Sequence, residues 1–269
     1  MTRLARAFAR AKGAGRAALV VFVEAGDPDL ATTSRLLPAL AEAGADVIEL
    51  GIPFSDPLAD GPTIQRASER ALARGVTLAQ VLDLLAAARA GGFATPVVVF
   101  SYANPILAMG EADFAHRARE AGADGVLVTD LPPEEGRAFS SILKSARLDP
   151  VYLLAPTSPD DRLRRAASLS RGFVYLVSRS GITGARAALP EDLAALVGRV
   201  RRAVPRLPVA VGFGISTPEQ VRAVAALADG VVVGSAVVAA METAVRDGRD
   251  PVAAASELVR ALAGAAAKP

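Results

Sequence analysis

The chain of 269 residues has no cysteine, no tryptophan and a single histidine, His116. Without Cys there is no disulfide, no thiolate nucleophile and no Cys-ligated zinc or iron–sulfur centre. One imidazole cannot build a site that needs two. Aromatic residues make up only 4% of the chain, which disfavours a stacking platform for single-stranded nucleic acid. The 30 basic and 28 acidic side chains are interspersed and leave a formal net charge of +2, so no nucleic-acid footprint emerges. No run approaches the ~20 apolar residues that span a bilayer.

What the chain has in quantity is apolar surface to bury. Hydrophobic residues form 52% of it, enough for a large core and too many for disorder. Thr2–Ala18 carries Arg and Lys but no acid, a composition shared with targeting segments. With Leu4, Phe8 and Ala11 on one face, it reads instead as a short amphipathic helix over residues 2–12. The apolar stretch Ala17–Val23 then runs into Glu24-Ala25-Gly26-Asp27-Pro28 without a signal-peptidase pattern. It reads as a first strand, and the chain is expected in the cytoplasm.

Short apolar runs alternate with longer stretches of helical period. The strand candidates are Leu19–Glu24, Val47–Gly51, Pro96–Tyr102, Gly125–Thr129, Val151–Leu154, Phe173–Val177, Val209–Phe213 and Gly230–Gly234. Their near-continuous apolar character suits parallel strands buried on both faces. Helices are expected between them, for example over Leu30–Ala43, Leu78–Ala90, Ala112–Ala121, Pro190–Val204 and Pro218–Ala226. Glu42–Leu50 resembles Glu120–Val128, and Ala226–Gly234 is a looser third copy. Eight β–α units in order predict a (β/α)8 TIM barrel with parallel strands. The expected arrangement is one domain over residues 1–269, with a frayed tail at 264–269.

In such a barrel the chemistry sits at the C-terminal ends of the strands. A carboxylate inside an apolar strand is costly unless it is used or paired, and Glu49 is that case. Asp60 lies in the following loop, where an Asp can equally be turn chemistry. Gly212, Gly214, Gly234 and Ser235 stand at the ends of the last two strands, just before two helix starts. Bare backbone there suits a phosphate. The three lysines, Lys12, Lys144 and Lys268, lie away from strand ends, which speaks against a Schiff-base aldolase. His116 falls on a polar helix and is expected at the surface. What remains is proton transfer by carboxylates on a phosphorylated substrate.

The run Ile48-Glu49-Leu50-Gly51-Ile52-Pro53-Phe54-Ser55-Asp56-Pro57-Leu58-Ala59-Asp60-Gly61-Pro62-Thr63-Ile64-Gln65 resembles the signature of the tryptophan synthase alpha subunit family. Similarity continues through Ala25–Pro28, Tyr102–Pro105, Asp130–Pro132, Ser178–Gly184, Gly212–Ser216 and Gly234-Ser235, covering nearly the whole chain in order. The resemblance implies cleavage of indole-3-glycerol phosphate to indole and glyceraldehyde 3-phosphate, without metal or organic cofactor. It implies that Glu49 shuttles protons, that Asp60 accepts a hydrogen bond from the indole N–H, and that Tyr175 stands beside them. Phe22, Phe100, Tyr102, Leu127 and Phe213 would line the indole pocket. Gly184, Phe213, Gly214, Gly234 and Ser235 match phosphate-binding positions, and Thr183 belongs to a loop that closes over substrate. Pro53, Asp56 and Pro132 match loops facing a pyridoxal-phosphate-dependent beta subunit in an α2β2 complex, to which indole is passed.

The chain departs from the family in three places. Glu24 stands where the family usually has Thr, Ser101 where a bulkier residue is common, and Thr129 where a small apolar residue is usual. Glu24 shares the strand face of Phe22, so a third carboxylate is expected near the other two. Two other readings stay open at this point. One is a phosphosugar isomerase or epimerase on the same fold, and the other a catalytically weak barrel that mainly binds and regulates a partner.

Overall fold

The computed structural model describes residues 1–178, 190, 192–212 and 214–268. The strand segments are β1 (Ala18–Glu24), β2 (Val47–Gly51), β3 (Val97–Ser101), β4 (Gly125–Val128), β5 (Asp149–Val151), β6 (Leu153–Leu154), β7 (Val174–Val177), β8 (Val209–Gly212) and β9 (Gly230–Val233). They form one parallel sheet in the order β5-β4-β3-β2-β1-β9-β8-β7-β6. Only Tyr152 separates β5 from β6, so the two ends of that order belong to one stave. The sheet therefore closes into an eight-stave (β/α)8 barrel, as the sequence predicts.

The fifth stave is the one that differs from expectation, beginning at Asp149 rather than Val151. Asp and Pro are depleted in strands, which conceals Asp149-Pro150 in the sequence. Its two halves bond to different neighbours: Asp149–Val151 pairs with β4, and Leu153-Leu154 with β7. At the break, the Tyr152 hydroxyl donates to Gly136 O at 3.0 Å and lies 2.7 Å from Ser140 Oγ. The other strands differ from their expected bounds by no more than one residue at either end. Helices form at Leu30–Glu42, Leu78–Ala90, Glu111–Glu120 and Pro218–Leu227, while the one expected from Pro190 starts at Leu193.

Strand alternation sorts the side chains into two cores. Val20, Phe22, Val47, Val98, Phe100, Leu127, Val151, Tyr175, Ala210 and Val232 fill the barrel interior. Leu19, Val21, Val23, Ile48, Leu50, Val97 and Val99 pack outward against the helices. The helix Arg3–Gly13, capped by Thr2, closes the lower end of the barrel with Leu4, Ala7, Phe8 and Ala11. The Phe8 and Phe173 rings lie 5.1 Å apart. A Cβ on Gly230 would fall 2.8 Å from the Phe8 ring, so the glycine makes room for this plug.

The internal repeat has a physical basis. Each copy ends a helix and presents an Asp to the preceding strand. Asp46, Asp124 and Asp229 accept hydrogen bonds from the backbone N–H groups of Leu19, Val97 and Val209, at 2.9, 3.0 and 3.0 Å. Each also holds an arginine: Arg16 at 2.8 Å, Arg89 at 2.9 Å and Arg201 at 2.9 Å. The tail expected to fray is instead pinned through Lys268. Ala17 N donates to Ala266 O and Lys268 N to Gly15 O, both at 2.9 Å, and Ala265 and Ala266 are buried. Paired backbone and apolar alanines hold it down. Among the described residues, no single helix is long and apolar enough to cross a membrane.

The plug generates a test. Phe8→Ala empties the barrel floor and is expected to destabilise the chain by about 3–5 kcal/mol in urea unfolding. A loss below about 1 kcal/mol would show that the floor does not depend on this ring.

Candidate active site

Glu49 occupies the middle of β2, in register with Phe22 on one side and Val98 on the other. Alternation turns it into the barrel, where it is 1% exposed. Burial pushes its pKa up to about 8, because desolvation disfavours the charged form. Its Oε1 has no hydrogen-bond partner among the described residues. A buried acid of this kind is protonated at neutral pH and has an oxygen to offer a ligand.

Asp60 reaches the same place from the loop after β2. The loop turns at Pro57, whose carbonyl accepts from Asp60 N at 3.0 Å, and then enters the helix Pro62–Ala73 with Gly61 at its N-cap. The Tyr102 hydroxyl donates to Asp60 Oδ2 at 2.8 Å and accepts from Ala59 N at 3.0 Å. Gln65 Nε2 bonds Asp60 O at 2.8 Å. Burial raises the Asp60 pKa to about 6, with the Tyr102 bond opposing the rise. Asp60 is thus ionised where Glu49 is still protonated. The phenol of Tyr175 is driven well above its ordinary range, by burial first and then by the Glu49 and Asp60 carboxylates.

A narrow cavity brings these groups together. Phe22, Glu49, Asp60, Phe100, Tyr175, Gly214, Gly234 and Ser235 all line it, joined by Ile64, Ile215 and Val232. The rings of Phe22 and Phe100 meet edge to face at 5.0 Å. Of the other expected pocket residues, Leu127 is fully buried beside Phe100 in register, and Tyr102 is turned to Asp60. Neither lies on the cavity lining. Thr183, Gly184 and Phe213 lie outside the described residues. On the rim, Asp56 is exposed and Pro132 half-buried, whereas Pro53 is buried within the chain.

Several contributions escape sequence reasoning. Val232 could have been found by alternation along β9 and Ile64 by the helical period of Ile64, Ala67, Ser68 and Ala71, but Ile215 sits outside any helix or strand and has no periodic signal. At Gly212 the missing side chain serves packing, since a Cβ there would overlap the Tyr175 ring. Gly214 has φ +88°, a left-handed conformation that favours glycine. Ser101 and Thr129 bond locally: Ser101 Oγ donates to Tyr102 O at 3.0 Å, and Thr129 Oγ1 to Ser101 O at 3.3 Å. His116 is exposed beside Glu120, as expected. Among the described residues, no group of three or more His, Asp or Glu is arranged to hold a metal ion. A wider cleft at the opposite end of the barrel includes Lys12, Arg16, Arg201, Arg206 and Lys268, but its one acid, Asp229, is already bonded to Arg201.

Three comparisons bear on this site. A family model described as tryptophan synthase alpha chain matches residues 8–267. The tryptophan synthase alpha chain of Geobacter sulfurreducens is 51% identical over 264 residues, covering 97% of this chain and 99% of its own length. The crystal structure of tryptophan synthase subunit alpha from Legionella pneumophila superposes with a TM-score of 0.91 at 40% identity, covering 98% of each chain. A chain of Mycobacterium tuberculosis tryptophan synthase gives a TM-score of 0.90 at 38% identity, covering 100% of this chain and 99% of that one.

The raised Glu49 pKa also makes a stability statement. A group held above its ordinary 4.5 stabilises the fold fully at low pH and loses that contribution as pH rises through about 8. Glu49→Gln is therefore expected to leave the thermal midpoint near that of the parent at about pH 4 and to raise it at about pH 9. A midpoint lowered at the higher pH would mean that the charged carboxylate has a compensating partner.

Proposed function

The chain belongs to the tryptophan synthase alpha chain family and is a lyase, and from that premise we propose its substrate and the division of labour among its residues. The substrate is indole-3-glycerol phosphate, cleaved to indole and glyceraldehyde 3-phosphate. The observation that carries this reading is the pairing in one apolar cavity of a protonated, partly unpartnered Glu49 with an ionised, hydrogen-bonded Asp60.

The steps follow from those two protonation states. Glu49 gives its proton to carbon 3 of the indole, and positive charge develops on the ring. Asp60 accepts a hydrogen bond from the ring N–H and offsets that charge in a water-poor site, where a fixed anion acts strongly. Glu49, now a carboxylate, takes the proton of the hydroxyl on the carbon attached to the ring. The O–H electrons form the aldehyde C=O, and the electrons of the breaking C–C bond return to the ring as neutral indole. Glu49 ends protonated, ready for another turn. Phe22 and Phe100 supply apolar walls for the ring, and Tyr175 packs beside both carboxylates. Gly214, Gly234 and Ser235 line the cavity at the start of the helix Ser235–Arg246, a favourable seat for the phosphate. By resemblance Gly184 and Phe213 complete that seat, and Thr183 belongs to the loop that closes over substrate. The reaction needs no metal or organic cofactor.

The partner is the family's beta chain, which carries the pyridoxal phosphate, in an α2β2 assembly. The C-terminal rim supports this. Leu58 is 87% exposed and Leu107 60%, and Phe54, Pro57, Leu131 and Pro132 are only half-buried. Apolar patches at a rim often mark an interface. Asp56 and Pro132 would face the partner, with Pro53 shaping the loop from beneath.

Three measurements test this reading. Glu49→Gln should lower kcat for indole release by ~10²–10⁴ while an unreactive substrate analogue still binds. In the wild type, kcat/KM should rise as Asp60 ionises near about 6 and fall as Glu49 loses its proton near about 8. A variant keeping more than about half the parental kcat would remove Glu49 from the reaction. Titration with the cognate beta chain should raise kcat at least ~10-fold, about 1.4 kcal/mol of barrier. No complex and no rate change would leave a stand-alone lyase.

A further inference from the structure

Glu24 closes β1 in register with Gly51 and faces the barrel interior with Phe22. It is buried, and it is not part of the cavity lining. A Cβ on Gly51 would fall 2.5 Å from Glu24 Oε2 and 2.8 Å from the Phe22 ring, so the glycine opens the space that both side chains occupy. Ser68 Oγ donates to Glu24 Oε1 at 2.9 Å. Ser68 lies in the helix Pro62–Ala73, and Asp60 stands just ahead of that helix. One bond thus ties the end of β1 to the element that delivers Asp60.

We propose that Glu24 is a positioning residue: as a neutral carboxylic acid bonded to Ser68 it holds the Asp60 carboxylate at the cavity, and on ionising it drives that carboxylate away from the indole N–H. The inference rests on the alpha-chain reading and adds to it a group that touches no reacting atom.

The charges around Glu24 give the reason. Asp60, on the loop after β2, and Asp27, just beyond β1, lie near enough to repel its charge. β2 contributes Gly51 and, one layer lower, Glu49. The helix Pro62–Ala73 contributes the Ser68 hydroxyl, while its Arg70 is engaged by Asp27 at 2.7 and 2.9 Å and by Glu242 at 2.8 Å. Burial, then repulsion from Asp60, raise the Glu24 pKa to about 8, with Ser68 opposing. Asp60 ionises first, near about 6, while Glu24 is still neutral. Once Glu24 also ionises, two anions share an apolar site. Glu24 is fixed in a strand, whereas Asp60 is on a loop, so relief comes by displacing Asp60.

The test is binding of an indole-alkyl phosphate that lacks the glycerol hydroxyls, with Glu49→Gln present in every protein compared, wild type at position 24 included, so that Glu49 does not titrate beside the ligand over the same range. Its phosphate ester, with a second pKa near about 6, is dianionic across the comparison. For wild type, Kd should rise ~10-fold between about pH 7 and about pH 9, as expected when a ligand binds only the form protonated at about 8. Glu24→Gln keeps the shape and the neutral state, and its Kd should change less than about 2-fold over that range. Should the Gln variant fail to fold, Glu24→Thr carries the same expectation. Ser68→Ala breaks the tie to the helix that follows Asp60 and should weaken binding already at about pH 7, besides moving the midpoint to higher pH. A Gln or Thr variant that weakens like wild type, or a wild type that does not weaken, overturns the inference. No binding by wild type at about pH 7 overturns the alpha-chain reading itself.

Discussion

A closed ring of parallel strands must fill its own interior, and this constraint shapes the rest of the chain. Alternation along β1, β2 and β3 sends every second side chain inward, and those side chains are nearly all apolar. The floor is completed from outside by Phe8 and Leu4 of the N-terminal helix. With the floor sealed, the interior opens only upward, where the loops after the strands begin. Glu49 is the residue at which the apolar filling stops. Its position on the same face as Val47 means that no local adjustment could turn it out without turning the whole strand.

The buried carboxylates divide by whether they have cations. Asp46 and Asp124, like the half-buried Asp229, lie at the helix-to-strand junctions, each bonded to a backbone N–H and an arginine. They satisfy the rule that buried charge is paired. At the upper end, Glu49, Asp60 and Glu24 have hydroxyl partners or none, and all three hold their protons more tightly than usual. The same group is thus arginine-bound at Asp46 and Asp124 and without a cation at Glu24, Glu49 and Asp60. The separation of about 6 for Asp60 from about 8 for Glu49 comes from the lower ordinary value of an Asp, from depth and from the Tyr102 bond.

The strand order, the helix-to-strand repeat and the unusual character of Glu49 were readable because each rests on local period or on one residue out of keeping with its neighbours. The fifth stave was only half readable, since Asp149-Pro150 looks unlike a strand and gains its place from β4. The loop carrying Asp60 shows the limit more clearly. Its residues are turn formers, and Asp60 becomes distinctive only when the loop folds back onto Tyr102, which lies 42 positions along the chain. The Glu24–Ser68 bond, spanning 44 positions, was hidden for the same reason. Gly212 was misleading in a different way: a glycine at a strand end suits a phosphate, but here its empty side serves the Tyr175 ring.

The site also explains where stability is sacrificed. Desolvating Glu49 is what keeps it protonated at neutral pH, and the same desolvation lowers stability as the solution becomes alkaline. A salt bridge to Glu49 would remove that cost by restoring an ordinary carboxylate. It would also leave Glu49 ionised at neutral pH. The described interior supplies no cation there, and the compensation lies elsewhere, in two well-filled cores and in the three arginine-bound aspartates. The order of the lower end therefore bears on the upper end, because Leu4 and Phe8 close the barrel floor beneath the buried carboxylate.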